Sequence, residues 1–150
     1  QANKLIAIMA SKPSLKTLCG FSGDETELDL SNHGLSTGCG VLVANEVKNN
    51  GALEKLRMAS NRLCNKEAGK ALATMLANNN TTLKELDVSN NTYGQCDSRG
   101  FAQELANGIK NNGALTSLNL ASNDLRSEGA KHIAEAIKVN VSALCDRYRF

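Results

Sequence analysis

The segment LTSLNLASNDLRSEGAKHIAEAIKVN, residues 115–140, constrains the fold of this chain more than any other feature. Its first half follows the pattern L-x-x-L-x-L-x-x-N-x-L, whose alternation of apolar and polar residues is typical of a half-buried strand. Its second half places apolar residues three and four positions apart, which is the spacing of an amphipathic helix. Because one strand–loop–helix unit cannot bury its apolar face alone, the segment predicts that the chain contains further copies of it.

The copies lie upstream in the same frame. The leucine at the fourth framework position recurs at Leu28, Leu56, Leu86 and Leu118, so the repeat periods are 28, 30 and 32 residues. The helical halves also align, each with an aliphatic residue, an alanine and a second aliphatic residue three positions later. These triplets are Val43, Ala44 and Val47; Leu72, Ala73 and Leu76; Leu105, Ala106 and Ile109; and Ile133, Ala134 and Ile137. Because strand, loop and helix agree in one frame, the sequence predicts a short α/β solenoid of about four repeats plus caps.

The whole chain, residues 1–150, is interpreted as one domain with irregular ends. Its parts are an N-terminal helix and capping segment at 1–24, four repeats at 25–140, and a C-terminal cap or tail at 141–150. The first 14 residues match the end of a repeat, which favours a fragment of a longer repeat protein. Leu15–Cys19 predicts a β-hairpin or an irregular loop that covers the first edge of the sheet, because solenoid ends need caps. For Ala143–Phe150 three alternatives stay open: a polar strand-like cap, a truncated repeat or a disordered tail.

An asparagine follows each strand, at the point where the backbone turns away from its neighbour. Its amide can donate to and accept from the backbone groups that the turn leaves unpaired, so stacked copies predict a structural ladder. The members of this ladder are Asn61, Asn91 and Asn123, with His33 in the first copy. A neutral imidazole has one donor and one acceptor, so we favour a buried framework role for His33 over a ligand or catalytic role.

The third and fifth framework positions point away from the core and form two rows across the predicted sheet. The third positions are Glu27, Lys55, Glu85 and Ser117, and the fifth are Asp29, Arg57, Asp87 and Asn119. Each row alternates acid, base, acid and neutral, so that Lys55 lies between two glutamates and Arg57 between two aspartates. One interpretation is a self-neutralised ladder that keeps the strands in register, and this is the one we favour. The other is a polar protein-binding face with Arg57 as its anchor.

Bulk composition excludes several classes of partner. The net charge is only +2, which gives no electrostatic reason to propose nucleic acid or an anionic membrane. No apolar run approaches the roughly 18 residues of a membrane-spanning helix. Five cysteines, an odd number without a C-x-x-C pair, favour free thiols and a cytoplasmic location.

Three of these cysteines follow successive strands and could meet at one rim of the solenoid. With His33 as a fourth ligand, Cys39, Cys64 and Cys96 could bind zinc, and Cys64 could pair with Cys96 as a disulfide. We favour free thiols over both. The sequence contains no G-x-S-x-G, H-E-x-x-H or phosphate-binding loop motif, so it predicts no catalytic residue, metal or cofactor.

The turn NDLRSEGA, residues 123–130, and the helix HIAEAIK, residues 132–138, resemble the ribonuclease-inhibitor-like class of leucine-rich repeats. The resemblance implies a horseshoe with a parallel sheet on its concave side and helices on its convex side. It also implies that a protein partner docks on the concave face or its loops. Because members of this class include enzyme inhibitors and GTPase-activating proteins, it does not fix one activity.

We therefore predict a non-enzymatic protein–protein interaction or scaffolding module. The alternatives are a regulator of an enzyme, such as a GTPase activator or an enzyme inhibitor, and a structural spacer in a larger assembly. The predicted partner is a protein, with self-association through an edge of the sheet as a further expectation.

Overall fold

The fold alternates short strands with longer helices along the whole chain. The computed structural model describes residues 1–12, 14–77, 82–92, 94 and 96–147, with residues 141–147 described as helical backbone only. The elements are α1 (Ala2–Ala10), β1 (Glu27–Asp29), α2 (Thr37–Val47), β2 (Lys55–Arg57), α3 (Lys66–Ala77), β3 (Glu85–Asp87), α4 (Ser98–Asn111), β4 (Ser117–Asn119) and α5 (Arg126–Arg147). The prediction of an α/β solenoid is confirmed.

The four strands form one parallel sheet in the order β1-β2-β3-β4. The fourth-position leucines lie in register across it, from Leu28 to Leu56, Leu86 and Leu118. The third and fifth positions are aligned with them, so the two polar rows lie side by side on the face turned away from the helices. Below, this surface is called the sheet face.

The core lies between the sheet and the helices. Leu56 and Leu86, in the two inner strands, are 0% and 1% exposed. Leu28 and Leu118, in the two outer strands, are only half-buried, since each has a neighbouring strand on one side alone. Burial in this fold therefore depends on having a repeat on both sides.

Helices α3 and α4 pack closely because glycines remove side chains at their contact. A Cβ on Gly69 would lie 2.4 Å from the carbonyl oxygen of Phe101, and one on Gly108 would lie 2.5 Å from Ala73 Cα. Phe101 itself is 1% exposed. This large residue is buried at the α3–α4 contact.

Every strand is followed by a residue in the left-handed region of backbone conformation. These residues are Asn32, Ser60, Asn90 and Ser122, with φ between 52° and 60°. Each immediately precedes the position of the framework asparagine. The sharp turn after the strand thus recurs in all four repeats, without a glycine at this position.

The N-terminal segment is irregular where a β-hairpin was one alternative. Leu15–Cys19 forms no strand and pairs with no described strand. Glu46 of α2 holds it instead, by accepting hydrogen bonds from the Thr17 hydroxyl (2.6 Å), from the Leu18 N–H and from the Cys19 N–H (2.9 Å). Of the two alternatives, the irregular loop is present.

The C-terminal segment differs from the expectation of a separate cap. Helix α5 runs through the predicted boundary at residue 140 and ends at Arg147, so a strand-like interpretation of residues 143–147 is wrong. The physical reason lies in the exit sequence. Residues 141–147, which follow Asn140, contain neither glycine nor proline, the two residues least favourable in a helix interior. Tyr93, residues 78–81 and residues 148–150 lie outside the described residues.

Candidate functional site

The sheet face carries the eight polar residues that the sequence predicted to point away from the core. Glu27 lies beside Lys55, which lies beside Glu85 and then Ser117; Asp29, Arg57, Asp87 and Asn119 follow in the same order. The side chains of Arg57 and Lys55 are 40% and 33% exposed. The structure therefore brings all eight onto one solvent-facing surface.

The ion pairs of Arg57 on the sheet face join the fifth-position row to the third-position row. Lys55 Nζ lies 2.7 Å from Glu27, as expected within the third row. Arg57, expected to pair with the aspartates beside it, instead lies 3.8 Å from Glu27 and 3.6 Å from Glu85. These contacts join exposed groups, so solvent screening leaves them a small contribution to stability.

The aspartates do not face Arg57 because they bind the backbone of the turn that follows. The Ser31 N–H donates to Asp29 (3.0 Å) and the Ser89 N–H donates to Asp87 (2.9 Å). In the last repeat the Ala121 N–H donates to the Asn119 amide oxygen (3.1 Å). Three of the four fifth-position residues thus cap the turn, each through the N–H two residues later.

Arg57 cannot cap its own turn, because a guanidinium has no acceptor. The equivalent backbone group, the Ala59 N–H, donates to the Ser31 hydroxyl of the preceding repeat at 3.2 Å. Ser31 therefore supplies the acceptor that Arg57 lacks. As a result, Arg57 is the fifth-position residue of the sheet face whose side chain has no part in shaping the turn.

Glu27, Asp29 and Asp87 of the sheet face are stabilised in their charged form. The Lys55 ammonium lowers the pKa of Glu27, and the Ser31 N–H and hydroxyl lower the pKa of Asp29. Partial burial, the largest influence on Asp87, acts to raise its pKa, but bonds from Ser89 and Asn119 together lower it. Conversely, Glu27 raises the pKa of Lys55. With four carboxylates and two cations in its rows, the sheet face carries a net negative charge at neutral pH.

The three framework asparagines link each repeat to the one before it. Asn61 donates to the carbonyl of Leu30 (2.8 Å), Asn91 to that of Met58 (3.0 Å) and Asn123 to that of Val88 (2.8 Å). Their side-chain oxygens accept backbone N–H groups of the preceding repeat, such as that of Leu35 at 2.9 Å for Asn61. All three are at most 5% exposed.

His33 does not belong to this ladder, and the prediction of a buried framework histidine is wrong. Its ring is exposed, and its Nδ1 lies 2.7 Å from the Ser31 carbonyl oxygen. Each asparagine bonds backward to a preceding repeat, and the first repeat has no full repeat behind it. His33 therefore lacks the bonds to a preceding repeat and contacts the Ser31 carbonyl oxygen of its own repeat.

A second set of buried asparagines, which periodicity alone did not reveal, closes the turn from helix to strand. Asn50 accepts from the Leu53 N–H (3.0 Å), and Asn112 accepts from the Leu115 N–H (2.7 Å). The Asn112 amide also donates to the Leu76 carbonyl of the preceding repeat (2.9 Å). The signal was present in the repeated exit K-N-N-G-A-L, whose second asparagine is the buried one.

The structure contradicts the preference for free thiols at two positions. Cys64 and Cys96 are paired as a disulfide, with their Cα atoms 5.5 Å apart. They follow consecutive strands, and the stacking of repeats places equivalent loop residues at bridging distance. Cys19 is half-buried and Cys39 is exposed, and both are free thiols.

The side chains that could bind a metal ion are dispersed over the fold. Among the described residues, no three His, Cys, Asp or Glu side chains are placed to hold a metal ion, and Cys39, Cys64, Cys96 and His33 do not form such a group. Within the same residues, no helix has the length and hydropathy needed to cross a membrane.

Part of the chain matches the model of a known repeat family. A family model described as a leucine-rich repeat matches residues 79–92 and 111–134. The second match begins at the end of α4 and runs through β4 into α5, across the best-formed repeat. The fold of the chain is that of an α/β leucine-rich repeat solenoid. Its framework leucines and asparagines are those of the repeat unit described above.

Comparisons with individual proteins add little to this family assignment. No curated protein matches the sequence. Among solved structures, the C-terminal domain of a Caenorhabditis elegans tropomodulin is similar, with 15% identity and a TM-score of 0.45. The similarity covers 84% of this chain and 90% of that one.

Proposed function

We propose that this chain is a protein-interaction module that docks a partner on the sheet face, with Arg57 as the central contact. The proposal rests on the observation that Ser31, and not Arg57, caps the turn after the second strand. Asp29, Asp87 and Asn119 cap their turns, whereas Arg57 leaves that task to a neighbouring hydroxyl (Ala59 N–H to Ser31 Oγ, 3.2 Å). An exposed arginine in the middle of a sheet, not needed for the fold, is suited to binding.

The charge of the sheet face indicates what kind of surface fits it. Glu27, Asp29 and Asp87 have lowered pKa values and stay ionised at neutral pH, and they surround the two cations. A partner that places lysine or arginine side chains against these acids, and a carboxylate or carbonyl oxygen against Arg57, would match this arrangement. We therefore propose a partner surface that is basic overall, with an acceptor at its centre.

The test compares affinity capture by the wild-type chain with capture by the variants Arg57→Asn and Thr74→Glu. An asparagine at position 57 can accept the Ala59 N–H as Asn119 accepts that of Ala121, so the turn keeps its hydrogen bond while the cation is lost. Thr74 is exposed on α3, away from the sheet face, and its variant is the control for a change of charge.

We expect the control to retain the captured protein and Arg57→Asn to weaken its binding by at least about tenfold, the loss typical of a central arginine. Binding should also weaken between about 0.05 M and about 0.5 M salt, because charge pairs are screened. Equal affinity for the wild type and Arg57→Asn would show that the partner docks elsewhere. If the captured protein is an enzyme, a change of its rate on titration with this chain would favour the alternative of a regulator over a scaffold.

The ribonuclease-inhibitor-like class of repeat is part of the same proposal. Its support is an α-helix after every strand and repeat periods of 28, 30 and 32 residues. The proposed absence of catalytic, metal-binding and cofactor-binding residues stays a prediction, as does the cytoplasmic location. The Cys64–Cys96 pair bears against that location, since reducing compartments disfavour disulfides. Counting thiols in chain isolated without reductant from its native compartment would decide it.

A further inference from the structure

The sheet face is about as wide as a single α-helix. Each of its four strands has three residues, of which the third and fifth framework positions point outward. These two positions lie about 6.6–6.8 Å apart along a strand, whereas a helix with its side chains is about 10–12 Å across. Just before the strands, Glu54 and Lys84 pair with each other at 2.8 Å and mark one limit of the face. A partner sheet, with strands of about 17–20 Å, would extend well beyond the two rows.

Across the strands, the two rows have the same order of charge. Each has an acid on β1, a base on β2 and an acid on β3. Neighbouring strands are about 4.8 Å apart, so the acids of β1 and β3 are about 9.6 Å apart, with the bases midway between them. A partner that fits this order must therefore present base, acid and base at the same spacing. Because the rows agree, one pattern fits both of them.

An α-helix can present three charges at nearly this spacing. Its rise is about 1.5 Å per residue, so positions i+3 and i+7 lie on the same side as position i, about 4.5 Å and 10.5 Å further along the axis. In an extended chain, residues on one side are two positions and about 6.6–6.8 Å apart, which places the third charge about 13 Å from the first. The mismatch with the sheet face is thus about 1 Å for a helix and about 4 Å for a strand.

Arg57 has hydrogen-bond donors left for the middle charge of such a partner. Its guanidinium lies 3.8 Å from Glu27 and 3.6 Å from Glu85, and both distances are too long for an N–H···O hydrogen bond. Its side chain is 40% exposed, and it donates no hydrogen bond within the described part of the chain. A carboxylate can accept two parallel N–H groups from a guanidinium, which neither glutamate does. An aspartate or glutamate of the partner therefore suits the middle position.

We propose that the partner presents an α-helix that lies across the strands, with the pattern base-x-x-acid-x-x-x-base on its contact side. The two basic residues face the acids of β1 and β3, and the acid faces Arg57 on β2. Ser117 and Asn119, on β4, are neutral and leave the charge of the next helical turn unconstrained. This inference rests on the proposed function, because it requires the sheet face to be the docking surface.

The experiment measures binding of synthetic peptides to the 150-residue chain by fluorescence anisotropy at about 0.05 M salt, where screening is weak. The matched peptide carries K-x-x-E-x-x-x-K on an alanine-rich helix, which a lactam bridge on the opposite side holds in shape. A second helical peptide has the same composition in the order K-x-x-K-x-x-x-E. A third carries K-x-E-x-K in an extended framework of β-branched residues. We expect the matched peptide to bind at least about fivefold more tightly than each of the other two.

A change of the central charge tests where the helix lies. Arg57→Asp can accept the Ala59 N–H as Asp29 accepts that of Ser31, so the turn should persist, as circular dichroism will check. The wild type should prefer K-x-x-E-x-x-x-K to K-x-x-K-x-x-x-K, and this variant should show the reverse preference. Thr74→Glu, exposed on α3, is the matched control and should bind every peptide as the wild type does.

Three results would overturn the proposal. Equal affinity for the matched and the order-exchanged peptides, including no binding of either, shows that the sheet face does not distinguish the order of charges on a helix. Tighter binding of the extended peptide shows that the face takes a strand. An unchanged preference in Arg57→Asp shows that the acid of the peptide does not face position 57. The proposed function fails by a different result, capture of a partner that does not depend on Arg57, so the two failures can be told apart.

Discussion

In three repeats the fifth-position side chain accepts the backbone N–H of its own turn. In the second repeat the fifth position is Arg57, and Ser31 of the preceding repeat accepts that N–H instead. The Ser31 hydroxyl accepts the Ala59 N–H, the group that an acceptor at position 57 would otherwise bind. We predict that Ser31→Ala destabilises the chain by about 1 kcal/mol, because that N–H loses its partner. In an Arg57→Asn background the same change should cost less, by about 0.5 kcal/mol or more, because the introduced asparagine supplies the acceptor. Urea unfolding of the four proteins of this cycle measures the difference.

The cycle also removes a side effect of the serine change. Ser31 bonds to Asp29 as well, and that loss is common to both backgrounds, so it cancels in the coupling energy. An equal cost of Ser31→Ala in both backgrounds would contradict the exchange of roles.

Cys19 should be a slow nucleophile in the folded chain. Burial, followed by the Glu46 carboxylate, raises the pKa of Cys19 to about 11. Only the thiolate reacts, so at pH 8 we predict alkylation of Cys19 roughly 100-fold slower than in the urea-unfolded chain, where its pKa is about 8.5. The rate should keep rising with pH towards 11. Mass spectrometry of iodoacetamide-treated protein follows this residue separately from the other cysteines.

Glu46→Gln provides the control for this prediction. It removes the negative charge while keeping a side-chain oxygen that can accept the Cys19 N–H. The variant should react faster than the wild type at pH 8, though more slowly than the unfolded chain. A rate that does not change would assign the low reactivity to burial alone.

At the residue scale, the sequence predicts side chains that act within their own repeat better than those that act between repeats. The asparagines at 61, 91 and 123 recur in frame, so their role follows from periodicity. Ser31 compensates for a residue 26 positions away, and no pattern along the chain marks that pair. His33 fits the frame but has no preceding repeat to bind, and the pairing of Cys64 with Cys96 depends on how adjacent loops stack.

The contact between α3 and α4 depends on two glycines. A Cβ at Gly69 would lie 2.4 Å from the Phe101 carbonyl oxygen. The contact involves the backbone of both helices, which cannot move aside as a flexible side chain can. We predict that Gly69→Ala destabilises the chain by about 1–3 kcal/mol, despite the higher helix propensity of alanine. Urea unfolding monitored by circular dichroism measures the change.

Gly51→Ala is the matched control for Gly69→Ala. A Cβ at Gly51 would have no neighbour within 4 Å. Its stability should stay within about 0.5 kcal/mol of the wild type. If Gly69→Ala were equally harmless, the two helices would have room to separate and the close packing would not be a constraint.

At the element scale, strand and helix positions could be predicted because their two periods differ sharply. The limits of the elements could not, as α5 shows. Its helix continues to Arg147 through residues that include neither glycine nor proline, although the leucine at position 144 fits the frame of a new strand. Helix formation depends on local residues, whereas a strand needs a neighbouring strand to pair with.

For the whole molecule, the repeat frame predicts the solenoid, the parallel register and the surface on which the polar rows lie. It does not predict how those rows interact, because Glu27 and Glu85 reach Arg57 while the aspartates bind the turns. The identity of a partner depends on the surface of that partner as well as on the sheet face, and this sequence encodes only the sheet face. The sequence therefore predicts the fold of the molecule without identifying what it binds.

The stability of the molecule should fall in acid because of these same carboxylates. The pKa of Glu27, Asp29 and Asp87 is lowered in the folded chain, whereas in the unfolded chain such groups titrate near pH 4. A depressed folded pKa contributes stability that is present above about pH 5 and is lost as pH falls through the lower, folded values. We predict that the urea midpoint is steady from pH 7 to about pH 5 and then decreases towards pH 3.

The double variant Asp29→Asn, Asp87→Asn separates charge from hydrogen bonding in this acid effect. Asparagine can accept the Ser31 and Ser89 N–H groups, as Asn119 already does for Ala121, but it does not titrate. The variant should therefore keep its turns and lose part of the decrease below pH 5, the part that the two aspartates cause. A decrease as steep as that of the wild type would contradict this prediction. The acid sensitivity would then come from carboxylates other than Asp29 and Asp87, and the charge of these two residues would not stabilise the turns that they cap.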